Sequence, residues 1–271
     1  MKNIAKKILN KFGYEIRKIK YQSEPKKSEL RNHGIEFLSE ENFKVDFTKL
    51  TLDGNYYFVP KYALHRPAVQ NILNGMLYEP KTHVFVERFC SSFNGSMVHA
   101  GTFFGDMIPN FSRSVSGKVY AFEPVFENYI LTKLCIDDNK LSNVILINAA
   151  LSDCLSNLHI HTSEGDGKHA GGSSTIADTG AICAAINIDR LVIEDLVLIQ
   201  LDVEGHELIA LKGAESSIQK CRPVVAIEDN KNNCSEFLIN LDYESVGQIP
   251  GLTIWVPTEN RGYKDKVLSL M

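Results

Sequence analysis

From residue 96 onward the chain repeats one pattern, and that pattern restricts its fold more than any other feature. Short β-rich runs, "SMVHAG", "KVYAFE", "NVILINAAL", "LVLIQLDV" and "PVVAIED", are separated by helix-like stretches. Strands that alternate with helices cannot be closed by tight hairpins, so they pair in parallel, with the helices on both faces of the sheet. The end of the chain changes character. "YESVGQIPGLTIWVP" holds two strand-like runs around Pro250 and Gly251, which reads as an antiparallel hairpin. The expected fold class is therefore α/β, a Rossmann-like and mostly parallel sheet closed by a C-terminal hairpin.

The regular region, residues 96–271, is preceded by three segments. Residues 1–22 open with "MKNIAKKILNKFGYEIRKIK", in which Ile4, Ile8, Leu9 and Phe12 share one helical face while Lys2, Lys6, Lys7 and Lys11 occupy much of the rest. Two readings of this basic amphipathic helix stand side by side: peripheral contact with an anionic membrane surface through residues 1–20, or docking on its own domain or a partner subunit. Residues 23–34 are polar and read as a linker. Residues 35–95 form an N-terminal cap of helices and strands: "NYYFVP" reads as a strand, "PAVQNILNGML" as a helix started by Pro67, and "THVFVERF" as another strand. Within the main domain, residues 152–189 break the alternation with the strand-like "NLHIHT" and the glycine-rich "EGDGKHAGGSST". An insert of this length beside the strand ends reads as a lid.

Composition narrows the function classes. With 271 residues, 44% of them hydrophobic, the chain can bury a full core. A formal charge of −4 supplies no basic field, so nucleic acid is not the expected partner and a small or neutral ligand is. Six cysteines lie far apart without a C-x-x-C pair, which argues for reduced thiols. No apolar run approaches a bilayer span and no signal-peptide block opens the chain, so the expected location is the cytoplasm, including its membrane face if the N-terminal helix binds lipid.

In an open α/β sheet a ligand sits beyond the carboxyl ends of the strands. There "HAGTFFGD" brings Gly101 and Gly105, where missing side chains let a ligand approach the backbone ahead of a helix N-terminus. Two-glycine turns also occur for structural reasons alone. Glu123 ends the next strand about twenty residues later, the offset of an acid that takes both hydroxyls of a ribose. The alternative is a solvated strand-end carboxylate. Asn148, Ala149 and Ala150 end the third strand and leave room for a flat base, or serve helix packing. The fourth strand ends in Asp202, Glu204 and Glu207, and the fifth in Glu228 and Asp229. These acids read either as helix caps or, for Asp202 with Glu228 and Asp229, as an oxygen-rich Mg²⁺ site. Of eight histidines, His169 in the insert and His206 at a helix start are the two whose expected places reach a substrate.

The segments "VHAGTFFGD", "VYAFEPVFENYILTK", "NVILINAALSD", "GGSST", "LIQLDVEGHELIALKGA" and "RPVVAIE" together resemble the FkbM family of S-adenosylmethionine-dependent O-methyltransferases. The resemblance implies a seven-stranded class I methyltransferase fold and sugar or glycan hydroxyls as acceptors. It implies that the loop His99, Gly101, Thr102, Phe103, Gly105 and Asp106 holds the methionine end of the cofactor. Glu123 and Pro124 then meet its ribose, Asn148, Ala149 and Ala150 border its adenine, and Asp202 lies near the transferred methyl group. Two positions depart from the family pattern, His99 where Asp is usual and Phe103 where Asn is usual. The loss of an acid at the first leaves Asp106 and Asp202 to supply negative charge. A further likeness to macrocin- and mycinamicin-type sugar methyltransferases implies Mg²⁺ at Asp202, Glu228 and Asp229. The expected chemistry is methyl transfer to oxygen, with Asp202 as base and His169 or His206 as the alternatives. The rival reading is a catalytically degenerate fold that binds a glycan or a membrane surface. Oligomerisation is compatible with both.

Overall fold

A computed structural model describes residues 31–38, 42–228 and 234–271. The N-terminal helix read over residues 1–22 lies outside them, and so does Asp229. The chain begins with three antiparallel strands, β1 (Arg31–Leu38), β2 (Asn42–Leu52) and β3 (Asn55–Pro60), followed by helices α1 (Pro67–Leu73) and α2 (Pro80–Cys90). β1 starts four residues inside the stretch read as linker. A second correction concerns "THVFVERF", which lies in α2 and not in a strand. Pro80 starts the helix, and Phe85 with Phe89 and Val86 with Cys90 recur every four residues on its buried side. Alternation over the short run "HVFV" hid that longer period.

The main domain follows as β4 (Ser96–Ala100), α3 (Ile108–Ser114), β5 (Val119–Phe122), α4 (Phe126–Asp138) and β6 (Val144–Ile147). After β7 (Ala150–Leu151), the insert supplies β8 (Ser156–His161), β9 (Thr175–Ala177) and β10 (Ala181–Ile186). The chain then continues through β11 (Leu196–Leu201), α5 (Glu207–Lys212), α6 (Glu215–Cys221), β12 (Val224–Ile227), α7 (Cys234–Asn240), β13 (Tyr243–Ile249), β14 (Leu252–Pro257) and α8 (Arg261–Leu268). Seven strands form the central sheet in the order β13-β14-β12-β11-β4-β5-β6. All neighbours pair in parallel except at β14, which runs antiparallel to both β12 and β13. This is the α/β sheet closed by a C-terminal hairpin that the alternation implies, with the strand count that the family resemblance implies.

β4, β11 and β12 are buried at every residue, as strands covered on both faces must be. One face packs Met97, Val119 and Ile254 against Phe85, Phe89 and Phe111, and the other packs Val98, Phe122 and Ile199 against Leu211 and Ile218. A third cluster joins the N-terminal strands to α4 through Val45, Phe47, Tyr57, Leu131 and Cys135, and it includes Phe103 and Phe104 of the glycine loop. The insert is an ordered sheet in the order β7-β10-β8-β9, with Ile160 and Cys183 packed on Val125 and Ala150. All six cysteines are free, and four of them are buried. Among the described residues no helix is long and apolar enough to cross a membrane.

Candidate functional site

Strand order in the central sheet reverses between β4 and β11, because β4 leads to β5 on one side and β11 lies on the other. A crevice enclosing about 490 Å³, part of it open to solvent, lies at the carboxyl ends of these strands. Its walls are Ala100 and Gly101 after β4, Phe122 to Val125 after β5, Ala149 to Leu151 after β6, and Asp202 to Glu204 with His206 after β11. Ile160, Gly171, Gly172, Ser174 and Ile176 of the insert complete it. Insert residues thus form part of the crevice wall.

Gly101 has φ +90, and a Cβ there would lie 1.9 Å from the carbonyl oxygen of Asp202. The glycine is demanded by the close approach of two strand ends, which is what opens the floor of the crevice. Gly105 is required instead by Thr132 of α4, which a Cβ would meet at 3.1 Å, and it is not on the crevice wall. Ligand approach does not explain this second glycine. α3 begins only at Ile108, and none of its residues lines the crevice.

Glu123 is 4% exposed and its carboxylate is tightly held. Phe103 N donates to Oε2 at 2.7 Å, Val125 N to Oε1 at 2.9 Å and Asn128 Nδ2 to Oε1 at 3.3 Å. A carboxylate offers about four lone-pair directions, so one remains for a ribose hydroxyl rather than the two hydroxyls read from the sequence. Burial without a cationic partner pushes its pKa up to about 8. Pro124, Ala149 and Ala150 line the wall beside it. Asn148 does not; its amide donates to Glu123 O at 2.8 Å and to Pro124 O, so it shapes the loop behind the wall.

The rest of the glycine loop departs from the expected roles. Side chains alternate along a strand, so His99 faces α3 and not the ligand side that Ala100 faces. It is 1% exposed, bonded to Gln200 through Nδ1, and set edge-on to Phe111 at 5.0 Å. Burial lowers its pKa to about 4, so the ring is neutral. Thr102 Oγ1 donates to Phe122 O at 2.9 Å, a purely internal contact. Phe103 adopts φ 50, a left-handed conformation that costs a non-glycine residue roughly 1–2 kcal/mol. Its N–H to Glu123 and the hydroxyl of Thr132, which donates to its carbonyl at 2.8 Å, hold it there. The Phe103 ring packs beneath Gly171 and Gly172, where added Cβ atoms would lie 3.1 and 3.2 Å from it. Asp106 is 5% exposed, its Oδ2 lacks a hydrogen-bond partner, and burial raises its pKa to about 7.

Asp202 stands at the other end of the crevice, hydrogen-bonded to Glu228. Desolvation first, then that bond and the charges of Glu228, Glu204 and Glu79, raise its pKa well above the usual carboxylate range. Asp202 is therefore held toward its protonated form. Among the described residues no group of three or more His, Cys, Asp or Glu side chains could hold a metal ion; Asp229, the third member of the Mg²⁺ set expected with Asp202 and Glu228, lies outside them. Glu207 accepts from Val203 N and Gly205 N, which makes it a loop-fixing acid. His206 lines the crevice, its Nε2 unpartnered and its pKa lowered by burial. His169 does not line it. Its ring lies 4.5 Å from that of Tyr62, and its Nδ1 accepts from Gly171 N.

Residues 99–264, well over half of the chain, match the model of the methyltransferase FkbM domain. The chain belongs to the FkbM methyltransferase family. No curated protein matches the sequence. Among solved structures this FkbM chain is similar to a methyltransferase FkbM from Methylobacillus flagellatus KT, at 18% identity and a TM-score of 0.46, over 73% of this chain and 55% of that one. It thus spans about half of that protein's length. It is similar also to an rRNA methylase from Streptococcus thermophilus (17% identity, TM-score 0.40, 66% of this chain and 95% of that one). A third likeness is to M. jannaschii TYW2 in complex with AdoMet (12%, 0.37, 78% and 83%).

The donor set of the FkbM crevice fits S-adenosylmethionine. Glu123 can accept from a ribose hydroxyl, small residues at 149 and 150 leave room for adenine, and the acidic side chain of Asp202 on the crevice wall suits a cationic ligand. Sequence reasoning gave no role to Asn128 or Tyr62. Both lie in stretches it had quoted or passed, but only the fold brings them to Glu123 and the insert.

Proposed function

We propose that this FkbM protein transfers a methyl group from S-adenosylmethionine to a hydroxyl of a sugar or glycan. The observation that carries the reading is Glu123 and Asp202 lining one crevice, at the ends of β5 and β11, in a chain of this family. The cofactor supplies a methyl group on a sulfonium, already activated for displacement. The protein has to orient the acceptor in line and exclude water, and such positioning is worth up to roughly 7–11 kcal/mol in favourable cases. Glu123 anchors the ribose, and the insert shields the crevice. A sugar hydroxyl is a weak acid, so its proton must go to a base as the new C–O bond forms. Asp202 accepts it from its ionised form, and its raised pKa makes that form a stronger base than an ordinary carboxylate. His206, a neutral imidazole on the same wall, is the alternative acceptor.

The test is mass spectrometry of cell-envelope glycans from cells with and without the gene, joined to calorimetry of the full chain with S-adenosylmethionine. Loss of a single methyl from one glycan, with cofactor binding, supports the reading. Absence of binding at millimolar cofactor defeats it and favours a binding module on a degenerate fold.

A further inference from the structure

Glu123, the insert and the N-terminal cap meet at one side chain, Asn128. It is the third residue of α4 and 1% exposed. Its Nδ2 donates in two directions, to Glu123 Oε1 and to Gly171 O, each at 3.3 Å. Its Oδ1 accepts from the Tyr62 hydroxyl at 2.7 Å. Because the Gly171 carbonyl can only accept, the amide nitrogen must face it, and in that orientation Oδ1 accepts from the phenol while Nδ2 also points at Glu123 Oε1. Aspartate could not donate to either neighbour, and serine has a single donor.

The same contacts tie the insert down from the cap side. The Tyr62 ring rests on His169 of the insert. Four residues beyond Tyr62, Arg66 reaches Glu164 Oε1 at 3.1 Å and also bonds Ser173. Gly171 is thus the point at which the closed insert touches the network that orients the Glu123 carboxylate. With Gly171 O in place, one amide hydrogen of Asn128 is fixed and the other is aimed at Glu123. With the insert lifted, the amide loses that partner and its bond to Glu123 Oε1 loosens, leaving Phe103 N and Val125 N to hold the carboxylate.

We infer that Asn128 is a positioning residue that makes closure of the insert over the crevice and cofactor binding at Glu123 a single coupled event, with Tyr62 setting the orientation of its amide. The inference rests on Glu123 as the ribose acid. Coupling of this kind is reciprocal, so bound cofactor must hold the insert closed as strongly as the closed insert favours cofactor.

Hydrogen–deuterium exchange of the full chain, with and without S-adenosylhomocysteine, tests it alongside calorimetry. In the wild type the ligand should slow exchange of amides 162–175. In Asn128→Ala the dissociation constant should rise about 10- to 100-fold, as for loss of a hydrogen bond to a charged group. The insert should then exchange equally fast with and without ligand, while β11 and β12 stay as protected as in the wild type. Tyr62→Phe keeps the ring and should give a smaller rise and partial loss of insert protection, which preserves the test if Asn128→Ala does not fold. Affinity within twofold of wild type, weaker binding with insert protection intact, or faster exchange throughout β11 and β12 would each overturn the coupling. A wild type that binds no S-adenosylhomocysteine overturns the ribose reading of Glu123 and the inference with it.

Discussion

At Gly101 a single methyl group decides whether β4 and β11 can end side by side. Gly101→Ala would press a Cβ to 1.9 Å from Asp202 O at φ +90, so the variant should lose about 3 kcal/mol or more, read as a lower urea midpoint. Glu123 should act through its charge. Glu123→Gln should weaken S-adenosylhomocysteine binding about 10- to 100-fold in calorimetry. Since the wild-type carboxyl titrates at about 8, its affinity should improve as pH rises from 7 to 9, and that of the variant should stay flat. Asp202→Asn should lower kcat by about 10²- to 10⁴-fold, with a much smaller change in cofactor affinity. At this scale Glu123 and Asp202 were legible as acids closing apolar strands, because strand ends in a parallel sheet share one edge. His99 and Phe103 were not. The side a strand residue faces depends on register against α3, and the left-handed turn at Phe103 is held by Thr132 and Glu123 from distant parts of the chain.

The elements differ in how much of themselves they show in sequence. β4, β5, β11 and β12 are short apolar runs buried on both faces, and their alternation with helices was plain. α2 was hidden because four alternating residues mimic a strand, and only its packing on the sheet selects the helical period. Phe89 is fully buried in that packing, with ring contacts to Phe85, Phe93 and Tyr263 at 5.0–5.8 Å. Phe89→Ala should therefore cost about 3–5 kcal/mol in thermal or urea unfolding. The insert is held more lightly. Glu164 pairs with Arg66 and His65 near the surface, where such pairs are worth at most about 1 kcal/mol. Glu164→Gln should thus leave the unfolding midpoint nearly unchanged while limited proteolysis within residues 162–174 becomes faster. Of the insert's three strands only β8 was legible, as the strand-like "NLHIHT"; β9 and β10 are short, partly exposed and rich in small residues.

Across the whole molecule the buried ionisable groups give a definite pH response. His83, His99, His169 and His206 have lowered pKa values, so the folded state binds fewer protons than the unfolded one below about 6.5, and stability rises with pH up to there. Asp106 at about 7, Glu123 at about 8 and the raised Asp202 do the opposite. Between their unfolded and folded values the folded state binds more protons, and stability falls as pH rises. Below about pH 6.5 the two contributions oppose each other, whereas above it only the acids act, so the melting temperature of the ligand-free protein should decline from pH 6.5 to 8.5 by the equivalent of about 1–3 kcal/mol. Asp106→Asn with Glu123→Gln should flatten that decline in calorimetric scans. Sequence by itself determined the parallel α/β sheet, its closing hairpin and the acids at its carboxyl edge, because these follow from local periodicity and from the rule that strand ends gather on one side. Only the tertiary structure decided which acids are buried and held toward their protonated forms, which histidine faces the crevice and how the insert is joined to Glu123 through Asn128. Those depend on contacts between residues tens of positions apart, for which periodicity along the chain carries no signal.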